Sequence, residues 1–218
     1  MRPYYEADGI TIYHGDCMEV LPRIVSAPSD AIVTDPPYGI SYRHGARAGG
    51  ISLGMDGKTI VGDDLPFDPT HLLSAAPRLV LWGGNHFADR LPSSRGWLVW
   101  DKRDDGPEMD QSDAELVWTN VVATVRKWTR RWSGATRGGR EQSEGRWHVN
   151  QKPVALMDWC LGFVPGGRVI DPYAGSGSTL IAAMERRRPA IGIEIDEAHC
   201  ESAALRLSQG VLDFGGAA

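Results

Sequence analysis

The stretch RVIDPYAGSGST, Arg168 to Thr179, decides the fold. It begins as an apolar strand, tightens into a turn at Gly175 and Gly177, and continues as the helical sequence TLIAAMERR. The two glycines let the backbone approach a ligand closely, and the start of the helix offers free amide groups. The spacing is not a full GxGxxG, because Leu180 stands where the third glycine would be, and no GK[ST] follows to make a phosphate loop. Glu194 closes the next apolar run, 17 residues after Gly177. A carboxylate there can accept both ribose hydroxyls of an adenosine-containing ligand. Equally, the glycines can serve tight packing and Glu194 can cap the following helix.

Outward from this turn, short apolar runs recur at residues 10–16, 31–37, 78–84, 97–103, 115–120, 168–175 and 190–196. Several lack alternation and end in Asp, Glu or Gly, the pattern of parallel strands covered on both faces. Helical spacing fills 153–164, which opens on a proline, and 178–188 and 196–208. The reading is an α/β fold with a mainly parallel, seven-stranded sheet and helices on both faces. In such sheets ligands bind outside the carboxyl ends of the strands.

With 218 residues, 42% hydrophobic and 23% charged, the chain suits a single domain spanning 1–218. Cys17, Cys160 and Cys200 are widely separated, so neither a metal site nor a disulfide framework is expected. The opening MRPYYEADG has no apolar leader, and no run approaches the roughly 20 apolar residues of a membrane span. A cytoplasmic protein with no membrane partner is expected. Two segments, about 41–70 and about 126–149, read as irregular inserts.

The stretch TDPPYG, Thr34 to Gly39, carries the other chemical signal. At a strand end Asp35 can accept from an amine, Pro36 and Pro37 fix the turn while keeping their carbonyls free, and Tyr38 offers a flat face for stacking. Pro-Pro-Tyr can also simply end a strand. Asp171, at the mouth of the glycine turn, would repel a pyrophosphate but attract the ammonium of a methionine-like tail. That favours S-adenosylmethionine over a dinucleotide.

Together these segments resemble the amino-directed DNA methyltransferases, which carry [DNS]PP[YFW] at the active site. DPPY precedes the glycine turn, the circularly permuted order of their β class. GDCMEVLP at 15–22, HVNQKP at 148–153 and DPYAGSGS at 171–178 are similar to further family segments, so the resemblance spans nearly the whole chain. It implies a Rossmann-like S-adenosylmethionine-dependent methyltransferase fold. It assigns catalysis to Asp35, Pro36, Pro37 and Tyr38. The cofactor's adenine falls to Asp16 with Cys17, and its ribose to Glu194. Its methionine end falls to Asp171, Tyr173, Gly175, Ser176, Gly177, Ser178, Asn150 and Lys152, with Asp35 close by. Val149 and Asn150 replace the family's usual Pro and Thr, and Tyr173 a common Phe. Lys152 can equally be an ordinary charged residue before a helix. WGGNHFADRLPSSRGWLVWDKR is similar to the middle of small members, but Trp82, Trp97 and Trp100 read as packing.

The implied reaction is methyl transfer to adenine N6 of a flipped base in DNA. Cytosine N4 is the near alternative, an RNA or protein amide a further one, and a non-catalytic cofactor-binding module the last. Against a net charge of -5, residues 126–146 hold seven basic and two acidic side chains. Arg126, Lys127, Arg130, Arg131, Arg137 and Arg140, with Trp128 and Trp132 interleaved, suit phosphate contact or merely a solvated charged loop. Arg43, His44 and Arg47 would form the opposite wall. Such short inserts imply relaxed specificity or help from a second copy of the chain, and a partner restriction endonuclease is compatible with the reading.

Overall fold

All seven apolar runs form strands, and two more strands join at the edges. The computed structural model describes residues 1–24, 27–41, 61–103, 112–130 and 151–214. The strands are β1 (Tyr5–Ala7), β2 (Ile10–His14), β3 (Ala31–Thr34), β4 (Arg78–Trp82), β5 (Trp97–Asp101), β6 (Ala114–Thr119), β7 (Arg126–Thr129), β8 (Val169–Asp171) and β9 (Ala190–Glu194). They make one sheet in the order β1-β2-β9-β8-β3-β4-β6-β5-β7, nine strands where seven were expected.

The two additions have different causes. β1 pairs antiparallel with β2 across Asp8 and Gly9, whose φ angles of 50° and 77° make a two-residue turn of the kind Asp-Gly favours. β7 comprises residues read as the start of the basic insert. It pairs parallel with β5, and Trp128 is its only side chain that is not fully exposed. That ring stacks on Trp159, with centroids 6.5 Å apart, and tilts against Trp100. Trp128 therefore packs against the core.

From β2 through β9, β8 and β3 to β4 every pairing is parallel, whereas β6 runs antiparallel between β4 and β5. The helices are α1 (Cys17–Val20), α2 (Thr70–Ala75), α3 (Val154–Leu161), α4 (Ser178–Glu185) and α5 (Glu197–Phe214). Alternate residues of each strand serve opposite faces. Ala31 and Val33 join Leu156, Cys160, Leu180 and Leu207 of α3, α4 and α5, while Ile32 joins Val20 and Leu72 of α1 and α2. Among the described residues no helix is long and apolar enough to cross a membrane.

At β8 the chain crosses through α4 to β9 on one side, while β3, its other neighbour, leads through α2 to β4 on the opposite side. The crevice at the carboxyl ends of β8 and β3 is thus the point where strand order reverses, the usual ligand position of an open α/β sheet. The close packing of α4 depends on Gly192 of β9, where a Cβ would lie 2.7 Å from Leu180 Cδ1 and 3.0 Å from Ala174 Cβ. Gly192→Ala should cost about 1–3 kcal/mol through overpacking. Urea unfolding should show the midpoint falling at unchanged slope.

Candidate active site

The carboxyl edge of the sheet holds two groups of polar side chains, one on each side of the strand reversal. On the first side β8 ends in Asp171, which is buried. Its Oδ1 accepts from the Thr34 hydroxyl at 2.6 Å and from the Tyr173 amide at 3.2 Å. Burial pushes this carboxyl up to about 6 despite those donors, with the Asp35 charge adding to the rise. Gly175 (φ 51°) and Gly177 (φ 81°) then turn the chain into α4, both in the left-handed region.

Glu194 closes the turn from the end of β9. Its Oε2 accepts from the Gly175 amide at 2.7 Å and its Oε1 from the Asp196 amide at 2.8 Å, ahead of α5. Burial would raise this carboxyl, but His199 and the two amides outweigh it and hold it below the usual range. The Gly15 amide donates to the Glu194 carbonyl at 2.9 Å, which brings Asp16 alongside. Asp16 itself caps α1, accepting from the Met18 amide at 2.8 Å. Cys17 is buried, and burial pushes its thiol up. The Tyr173 hydroxyl lies 3.0 Å from His71 Nε2.

Ser176 and Ser178 are buried, and both face into the protein. The Ser178 hydroxyl donates to the Lys152 carbonyl at 2.8 Å, and the buried Arg206 of α5 donates to the Ser176 carbonyl at 2.7 Å. Arg206, which no motif pointed to, props the turn from beneath. The glycine turn, Asp16 and Glu194 expected at one site do come together. A turn with left-handed glycines beside an acidic strand end fits an adenosine-bearing cofactor.

On the second side Asp35 follows β3. The Tyr38 hydroxyl donates to its Oδ1 and Lys152 Nζ to its Oδ2, each at 2.6 Å. Lys152 is only 7% exposed, reaches Glu115 Oε2 at 3.1 Å, and sits 5.5 Å from the Trp82 ring centroid. Lys102 in turn donates to Glu115 Oε1 at 2.7 Å. Burial pushes the Asp35 carboxyl up, opposed by Lys152 and reinforced by Glu115. Burial would lower the Lys152 ammonium, yet the carboxylates of Asp35 and Glu115 hold it above the usual lysine range. Glu115 is held low, despite burial, by Lys152 and Lys102.

Two expectations change here. Lys152 was placed at the methionine end, but its ammonium is engaged by Asp35 and Glu115. The reason is electrostatic, since a buried ammonium needs a counter-charge and the part-buried carboxylates of Asp35 and Glu115 supply it. Tyr38 was read as offering a flat face for stacking, and one face already stacks on His86, with centroids 4.9 Å apart and planes 15° from parallel. Its ring lies over Gly83, where a Cβ would come within 2.1 Å of it. The Gly39 amide after the turn donates to buried Asp63 at 2.8 Å. None of the three was named as a site residue: His86 lies in the segment similar to the middle of small members, Gly83 in the strand run 78–84, and Asp63 in the insert at 41–70.

Trp82 and Trp100 are buried, as read. Arg126 and Lys127 are exposed on β7, with Lys127 paired to Asp101 at 3.1 Å, and Arg130 lies 5.2 Å from the Trp128 ring centroid. Asn150, Arg43, His44, Arg47, Arg131, Trp132, Arg137 and Arg140 fall outside the described residues.

A family model described as DNA methylase, of the N6/N4 type, matches residues 94–205, about half of the chain. The chain belongs to that family. It is 29% identical over 216 residues to YubD of Escherichia coli (strain K12), named as a methylase, with 89% of this chain and 88% of YubD covered. It is 23% identical to the type II methyltransferase M.ScaI of Streptomyces caespitosus, covering 94% of this chain and 84% of that one. Two solved structures share the fold of this DNA methylase. M1.HpyAVI in complex with SAM has a TM-score of 0.56 at 21% identity, over 91% of this chain and all of that one. The PvuII DNA methyltransferase, titled cytosine-N4-specific, has a TM-score of 0.61 at 14% identity, over 94% and 88%.

The position of Asp171 gives this methylase a measurable pH signature. An unfolded aspartate loses its proton near pH 4, whereas folded Asp171 keeps it to about pH 6, so its contribution to stability is full below about pH 4 and is lost as pH rises through 6. Asp171→Asn retains an acceptor and cannot ionise. The variant should match the parent near pH 4 and exceed it by up to about 3 kcal/mol above pH 6, measured by denaturant unfolding across that range.

Proposed function

We propose that this chain transfers a methyl group from S-adenosylmethionine to the N6 amine of adenine in DNA. The observation that carries the reading is that the Asp35-Pro36-Pro37-Tyr38 turn already grips an N–H donor, Lys152 Nζ, at 2.6 Å from Asp35. The same grip suits the exocyclic amine of a base. The other side of the crevice suits the cofactor, with Glu194 for the ribose, Asp16 and Cys17 for the adenine, and Asp171, Tyr173 and the Gly175–Ser178 turn for the methionine end. When bound, S-adenosylmethionine supplies an electrophilic methyl on a sulfonium.

Adenine N6 is a poor nucleophile because its lone pair is delocalised into the ring. Acceptance of its two hydrogens by Asp35 and the Pro36 carbonyl would favour a tetrahedral nitrogen and free that lone pair. Asp35 is then the nearest carboxylate to take the proton the methylated nitrogen sheds. Extrusion of the base costs a few kcal/mol, and stacking on Tyr38, worth about 1–3 kcal/mol, would offset part of it once the base takes the place of His86. Cytosine N4 presents the same two hydrogens, and the PvuII enzyme of the same fold is titled for it. Asp rather than Ser before Pro36-Pro37-Tyr38 favours adenine.

Incubation with labelled S-adenosylmethionine and unmodified DNA should yield N6-methyl-2′-deoxyadenosine on nucleoside analysis. N4-methylcytosine would overturn the choice of base, and no transfer would overturn the reading. Asp35→Ala should lower transfer by at least about 100-fold while cofactor binding, measured by calorimetry, changes little. The exposed Arg126 would serve as a phosphate contact. Arg126→Ala should lower the slope of log affinity against log salt by about one without altering which base is modified.

A further inference from the structure

Both oxygens of Asp35 are engaged, Oδ1 by the Tyr38 hydroxyl and Oδ2 by Lys152 Nζ. The ammonium also lies 3.3 Å from the Tyr38 hydroxyl and 5.7 Å from that ring's centroid. It occupies the place of a donor on the catalytic turn, so a target amine can bond to Oδ2 in the same geometry only if Lys152 yields. Next to it, at 3.1 Å, stands a second carboxylate, Glu115, fixed from its far side by Lys102. Because β6 runs antiparallel to its neighbours, Glu115 at its start stands level with the carboxyl ends of β4 and β5.

We infer that Lys152 is a resident stand-in for the target amine, and that Glu115, steadied by Lys102, is the positioning residue that receives its ammonium when the base enters. This rests on the methyl-transfer reading. With two carboxylates sharing one ammonium, the lysine can leave Asp35 without losing its counter-ion, and a buried cation without one is strongly disfavoured. The exchange moves no covalent bond. One N–H donor replaces another on Asp35, and Lys152 keeps its proton.

The test measures initial rates on unmodified genomic DNA with saturating labelled S-adenosylmethionine. Glu115→Gln leaves Lys152 with Asp35 as its only carboxylate partner among the described residues, so the base must expel a more tightly held lysine after the DNA has docked. The turnover number should fall about 10- to 100-fold, the loss of one hydrogen bond to a charged group, while the KM for DNA and the calorimetric cofactor affinity stay within about 3-fold. Glu115→Asp restores the carboxylate and should recover most of the rate. Lys102→Met should move the turnover number in the same direction, by less.

An unchanged turnover number in Glu115→Gln, with the parent active, would overturn this inference alone. So would a rate loss that tracks the unfolded fraction by circular dichroism, or one that Glu115→Asp does not relieve. Absence of transfer by the parent chain would overturn the methyl-transfer reading and this inference with it.

Discussion

A buried ammonium has to be paired, and the pairing of Lys152 with Asp35 and Glu115 joins parts of the chain that are remote in sequence. Removing one partner of such a pair typically costs about 3–5 kcal/mol, because the other charge is left buried and uncompensated. The constraint fixes more than the three side chains. It holds the segment before α3 against the end of β3 and the start of β6. Tyr38, bonded to Asp35, is in turn seated on Gly83 after β4. The backbone of Lys152 is tied by Ser178 to the start of α4, so both halves of the crevice share one support.

The sheet supplies the frame in which this support works. Parallel register from β2 to β4 brings the ends of five strands to one edge, and the reversal between β8 and β3 opens it. Asp16, Asp171 and Glu194 gather on one side, and Asp35 and Glu115 on the other. Two carboxylates of the first group differ in how they are satisfied. Glu194 is bonded to backbone amides and stays below the usual carboxylate range, whereas Asp171, buried with a hydroxyl and one amide, is driven upward. The buried guanidinium of Arg206 props the glycine turn from beneath, whereas the buried ammonium of Lys152 lies on Asp35 itself, the side suited to gripping an amine.

Much of this was legible in the sequence because it is local. The seven apolar runs, the glycine turn and the DPPY stop are each written in consecutive residues, and the structure puts each of them in the sheet or at its edge. β1 was also signalled, by Asp8-Gly9 ahead of an apolar run, and went unread. β7 was not, since three of its four side chains face solvent and only Trp128 turns inward. Glu115 and Lys102 could not be found by motif. They matter through an antiparallel pairing that the mainly parallel reading did not assign to any strand, and a carboxylate at the start of a strand lies at the wrong end for a ligand unless that strand is reversed. Gly83 is visible as part of a glycine pair, but its reason, the Tyr38 ring above it, is a contact between distant segments.

The most direct test of the account is a crystal structure of the chain with target DNA and S-adenosylhomocysteine, the demethylated cofactor, locating the exocyclic nitrogen of the extruded base. That nitrogen should lie at about 3 Å from Asp35 and the Pro36 carbonyl, with Lys152 Nζ moved from Asp35 onto Glu115. A base seated elsewhere, with Lys152 still bonded to Asp35, would contradict it.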